Sequence, residues 1–117
     1  MRKLTLIIFL ASSYFSQGMA AAQQSIEQLT RGCNLGNAAS CTSLGFLYDR
    51  GDGVTQSFPR AAELYEQGCE GGDGLGCMGL GLLYETGQGV AQNHVRAQEL
   101  FQRGCDGGVE IACNALD

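Results

Sequence analysis

Past residue 22 the chain has no lysine: Lys3 is the single one, and five arginines then face 12 acidic side chains, a net charge of −7. An acidic surface without lysine argues against nucleic acid and against anionic membranes as partners, because both recruit basic patches. Histidine is as scarce, with His94 alone, so a histidine-clustered zinc centre has no ligand set. No Cys-x-x-Cys motif occurs, which removes the usual dithiol arrangement of redox enzymes. No apolar run reaches the ~20 residues that span a bilayer. Tryptophan is missing and proline occurs once, as Pro59. No cofactor or metal is expected, and proteins, peptides and small molecules are left as candidate partners.

The first 22 residues do carry an order of their own. Arg2 and Lys3 precede an apolar stretch from Leu4 to Phe15, and the small residues Ala20, Ala21 and Ala22 follow. That is the plan of a secretory signal peptide, with cleavage expected after Ala22 or Ala20. Ser12, Ser13, Ser16 and Gln17 interrupt the stretch as a membrane span. No cysteine stands at the cleavage site, which argues against a lipoprotein. The reading is therefore an exported chain, periplasmic or secreted and not inserted in a membrane, with a signal peptide over 1–22 and a mature domain over 23–117.

All six cysteines lie in the mature part, and an even count in an exported chain of this size points to disulfides. Zinc is the competing reading, but seven residues separate the members of each pair, against the two to four usual in zinc sites. The cysteines also reveal a repeat. Cys33, Cys69 and Cys105 are 36 residues apart, and so are Cys41, Cys77 and Cys113. At that offset residues 25–60 align with 61–96, and a shorter third copy occupies 97–117. A helical pattern with a period in the 30s belongs to helix-pair solenoids.

Each unit holds two helical stretches. The first covers Ala38 to Asp49, and again Gly74 to Glu85, with Leu44, Leu47 and Tyr48 matched by Leu80, Leu83 and Tyr84 at helical spacing. It ends at Gly51-Asp52-Gly53 or Gly87-Gln88-Gly89, where glycine admits the left-handed turn that stops a helix. The second begins at Ser57 or Asn93, good N-caps, with Pro59 in a first turn where a missing N–H is harmless. It runs through Ala61, Leu64, Tyr65 and Cys69, or Ala97, Leu100, Phe101 and Cys105, to the turns Gly71-Gly72 and Gly107-Gly108. Gly45 and Gly81 recur at one repeat position inside a helix, where glycine costs about 1 kcal/mol against alanine; this predicts close packing between neighbouring helices.

LGFLYDRGDGV at 44–54 and LGLLYETGQGV at 80–90 resemble the Sel1-like repeat family. The added G-C-x7-C, at Gly32-Cys33-Cys41, Gly68-Cys69-Cys77 and Gly104-Cys105-Cys113, is similar to its exported Helicobacter-type cysteine-rich branch. The resemblance implies an all-α fold, a right-handed α/α solenoid of antiparallel helix pairs like tetratricopeptide repeats, used mainly for protein contacts. Six cysteines allow 15 connectivities. The repeat makes one natural, Cys33–Cys41, Cys69–Cys77 and Cys105–Cys113, each clasping the end of one helix to the start of the next.

The same branch implies β-lactam binding or weak β-lactamase activity as an alternative function; an immunity or inhibitor protein, whose acidic surface would cover a basic toxin or enzyme, is another. A serine β-lactamase needs Ser-x-x-Lys, and the mature chain has no lysine. His94 takes the repeat position of Phe58, which reads as a packing or surface site; a catalytic base would need a positioned partner. Glu63 and Glu66 lie one helical turn apart, but Glu63 recurs as Glu99 and Glu27, which reads as a structural or solvated carboxylate. No catalytic residue is assigned.

Binding residues are sought where the units differ. Cys41, Leu44, Gly45, Leu47 and Tyr48 are identical in both full copies and are expected to face neighbouring helices. Thr42, Ser43, Phe46 and Arg50 give way to Met78, Gly79, Leu82 and Thr86 at spacings of three and four, which defines another face. Thr42, Phe46, Arg50, Met78, Leu82 and Thr86 are thus the candidate contacts for a protein or peptide partner. The alternative, that these side chains pack against the preceding unit, is open at this point.

Overall fold

The computed structural model describes residues 25–117, so the signal peptide over 1–22 and its cleavage points lie outside the described residues. Six helices and no strand occur among them: α1 (25–34), α2 (Ala38–Arg50), α3 (Phe58–Glu70), α4 (Gly74–Thr86), α5 (His94–Asp106) and the short α6 (Glu110–Asn114). None is long and apolar enough to cross a membrane.

Side-chain caps set the starts. Asn37, Ser57, Asp73 and Asn93 accept hydrogen bonds from the backbone N–H groups of Ser40, Arg60, Leu75 and Arg96. Each satisfies one of the donors that a helix N-terminus leaves unpaired. At their far ends α2 and α4 run one residue beyond the expected Asp49 and Glu85, because Gly51 and Gly87, at φ 72° and 70°, are the residues that turn the chain. Their N–H groups donate to the Leu47 and Leu83 carbonyls at 2.8 Å.

The loops repeat as well. Ser57 and Asn93 each donate a backbone N–H to the carbonyl of Tyr48 or Tyr84 at 2.9 Å. The amides of Gln56 and Gln92 reach the carbonyls of Asp49 and Glu85 at 2.8 and 2.9 Å. Between α3 and α4 the chain turns within three residues, 71–73, with Gly72 at φ 94°.

Helix pairs therefore stack as antiparallel neighbours in an α/α solenoid. The core is built where α3 and α5 bury Ala61, Leu64 and Tyr65 or Ala97, Leu100 and Phe101 against α2 and α4. Each large apolar side chain so buried contributes about 1.5–3 kcal/mol. Cys41, Leu44 and Gly45 are buried, and Leu47 and Tyr48 half-buried. The recurring glycines have a physical cause: a Cβ at Gly45 would stand 2.9 Å from the Tyr65 ring, and one at Gly81 2.7 Å from the Phe101 ring. The expected close packing is thus that of an aromatic ring lying on glycine backbone.

Disulfides join Cys33 to Cys41, Cys69 to Cys77 and Cys105 to Cys113, with Cα–Cα distances of 4.5, 4.5 and 4.6 Å. Each ties the end of one helix to the first turns of the next.

Candidate functional site

Helices α2 and α4 lie side by side and run parallel. Thr42 of α2 meets Gly76 of α4, and one turn on, Gly45 and Gly79 both abut the Tyr65 ring of α3. With α1 alongside, they enclose a groove of about 470 Å³. Its walls are mostly apolar, from Leu29, Phe46, Tyr65, Leu75, Met78 and Leu82. On α4, Leu75, Met78 and Leu82 fall at i, i+3 and i+7, the spacing of one helical face.

Four of the six residues expected to meet a partner line this groove: Thr42, Phe46, Met78 and Leu82, together with Ser43 and Gly79. Phe46 and Leu82 remain 47% and 48% exposed, so packing against a preceding unit does not consume them. Thr42 differs in character. It is only 9% exposed and its Oγ1 has no hydrogen-bond partner. That oxygen is wedged where α2 crosses Gly68 and Gly76; a Cβ on either glycine would lie within 2.8 Å of it.

Arg50 and Thr86, the other two, do not line the groove. They sit in the last turns of α2 and α4. Arg50 stacks its guanidinium 4.5 Å from the Phe46 ring centroid, and Thr86 donates its hydroxyl back to the Leu82 carbonyl at 2.9 Å.

Several lining residues had no mark in the repeat comparison: Ser25 and Leu29 of α1, Asp49 and Tyr65. Leu29, Tyr65 and Phe101 share one repeat position and read as core. Leu75 carried a usable signal, since it replaces Ala39 at the matching position, and it is 52% exposed.

Among the described residues Asp49 is the one charged residue lining the groove. Its Oδ2 accepts the Tyr65 hydroxyl at 3.0 Å. Burial first, and then the Asp49 charge, hold that hydroxyl well above the ordinary tyrosine range, so Tyr65 stays a donor at any physiological pH. The matching carboxylate in the next unit, Glu85, is held differently. Phe101 stands where Tyr65 would be and has no hydroxyl, and His94 stands where Phe58 would be. His94 Nδ1 lies 2.9 Å from Glu85 Oε2, and Nε2 lies 2.6 Å from Asp117 Oδ2. Hydrogen bonding to Asp117, then to Glu85, raises the His94 pKa above 6.5. Both ring nitrogens thus face carboxylates at the surface.

Glu63 and Glu99 pair with Arg60 and Arg96 one turn away at 3.0 and 3.2 Å on exposed faces. No group of three or more His, Cys, Asp or Glu side chains converges to hold a metal ion among the described residues.

A family model described as Sel1 repeat matches residues 38–73 and 74–109. Each match spans one helix pair, α2 with α3 or α4 with α5, so on this division Cys69–Cys77 bridges the two units. Helicobacter pylori cysteine rich protein B is similar at 33% identity over 80% of this chain and 71% of its own, with a TM-score of 0.77. A protective antigen of uropathogenic Escherichia coli displaying an SLR fold is 33% identical over 74% of this chain, with a TM-score of 0.71. A Sel1 repeat protein from Oxalobacter formigenes is 27% identical over 77% of this chain, with a TM-score of 0.72. The chain spans 19% of the Escherichia coli protein and 37% of the Oxalobacter one. No curated protein matches the chain.

Proposed function

The chain belongs to the Sel1 repeat family, an α-solenoid scaffold typical of protein–protein contacts, and from that premise we propose that it is an exported module holding a peptide or protein segment in the groove between α2 and α4. The observation that carries this reading is the half-exposed pair Phe46 and Leu82, which stand at one repeat position on the groove walls. Apolar side chains left open in a concave site cost solvation in the free protein and act as anchors once covered. Export is supported by the order of charged, apolar and small residues over 1–22, and by three disulfides, which persist in oxidising compartments.

The test compares wild type with the Phe46→Ser/Leu82→Ser double variant in affinity capture from periplasmic extract, read by mass spectrometry. Captured proteins should be lost from the variant while its helicity and melting temperature stay close to wild type, since half-exposed sites tolerate polar substitution cheaply. The same proteins retained by both forms would remove the groove as the binding face.

A further inference from the structure

We infer that the segment bound in the groove is apolar in its middle and carries a basic side chain, arginine or lysine, at the end lying on Asp49. The inference rests on the groove being the binding face and goes on to name what fills it.

Charge complementarity carries it. Among the described residues Asp49 is the single charged one lining a mostly apolar groove, and no cationic side chain pairs with it. Its neighbour Arg50 stacks its guanidinium on the Phe46 ring and forms no ion pair with Asp49. Tyr65 donates to one carboxylate oxygen, Oδ2, and so fixes the group in place without neutralising it. The helices add to the same sign. Because α2 and α4 run parallel, their C-terminal ends, each carrying about half a negative charge, lie at one end of the groove, and Asp49 sits in the last turn of α2. Glu85, the matching residue of α4, is drawn away to His94. The groove is thus an apolar trough with one oriented anionic end, in a mature chain of net charge −7. An apolar segment ending in a carboxylate would meet repulsion there, and a neutral one would leave Asp49 desolvated and unpaired.

The experiment uses the oxidised mature protein and an array of acetylated, amidated octapeptides. They are drawn from Leu, Phe, Met, Ala and Ser, and each core is presented with Arg, Gln or Glu at one end. Wild type should favour the Arg series over its Gln counterparts by about tenfold and bind the Glu series least. Asp49→Asn keeps an oxygen to accept the Tyr65 hydroxyl; it should lose the Arg preference while keeping the Gln series. Glu110→Gln, the same change of charge on α6, should leave the preference intact. Raising salt should narrow the Arg-to-Gln ratio in wild type, a readout that needs no variant. Equal binding of all three series by wild type, abolished by Phe46→Ser, overturns the inference and leaves the groove reading standing. Binding of no series overturns both.

Discussion

Removing the central disulfide by Cys69→Ala/Cys77→Ala should destabilise the chain far more than any surface change. The two cysteines are eight positions apart, and a loop of about that length restricts the unfolded chain by roughly 2.5 kcal/mol at 25 °C in the chain-entropy model. Both side chains are buried, so alanine is preferred over serine, whose hydroxyl would be stranded there. For a domain of this size such a loss lowers the melting temperature by about 10–20 °C. Units of a solenoid touch only their neighbours, and Cys69–Cys77 lies where units 38–73 and 74–109 join. The unfolding curve should therefore also broaden as the two helix pairs lose their coupling. Urea denaturation followed by circular dichroism measures both effects. Cys105→Ala/Cys113→Ala opens an equal loop but frees only the five-residue α6, so its effect should concentrate in faster amide exchange over 110–114. A loss below about 1 kcal/mol for the central pair, or an equal global loss for the outer pair, would refute this account of the clasps.

Three further outcomes are expected. Gly81→Ala should cost up to about 2 kcal/mol in urea titrations: its Cβ would meet the Phe101 ring at 2.7 Å, and overpacking of about 1–3 kcal/mol is offset by only the ~1 kcal/mol gained in helix propensity; a stabilised variant would contradict the ring-on-glycine contact. Tyr65→Phe should cost about 1.5 kcal/mol at neutral pH, the value of a hydrogen bond to a charged acceptor, and the loss should shrink to about 0.5–1 kcal/mol when Asp49 is already Asn, a neutral acceptor. His94 should titrate above 6.5 by NMR. A raised pKa favours the protonated fold, so the stabilisation is complete below pH 6.5 and fades as pH rises through the raised value; His94→Gln should abolish that dependence, and a midpoint at or below 6.5 would refute the pairing.

Much of this architecture is legible in the sequence because a solenoid repeats its instructions. The 36-residue spacing of Cys33, Cys69 and Cys105 sets the register, and Ser57, Asn93, Gly51 and Gly87 place helix ends within a residue of those observed. The groove is legible only in part. Comparing units finds Phe46, Met78 and Leu82, because a residue outside the shared core is free to differ between copies. It misses Tyr65 and Leu29, which pack on a helix with one edge and show the groove another, so their position, Leu29, Tyr65 or Phe101 in the three copies, reads as core. It also names Arg50 and Thr86, which do not line the groove, since variation marks a helix face and not how far along it the groove extends. Asp49 was hidden for a different reason: its role depends on the Tyr65 hydroxyl, 16 residues away in sequence.

The two units also show how one scaffold position acquires two meanings. Asp49 and Glu85 occupy the same place near a helix end, and each receives one oriented hydrogen-bonding neighbour. In the first unit that neighbour is Tyr65, which approaches from the core side, and Phe58 at the outer position has nothing to donate. In the second the roles exchange: Phe101 is inert and His94 approaches from the outer side. The exchange leaves the fold unchanged, because Tyr65 and Phe101 lie equally well on Gly45 and Gly81. It changes where negative charge is held, in the groove for Asp49 and toward His94 and Asp117 for Glu85. A scaffold of near-identical helix pairs thereby gains one anionic end from two paired substitutions, while the disulfides and ring-on-glycine contacts keep its geometry fixed.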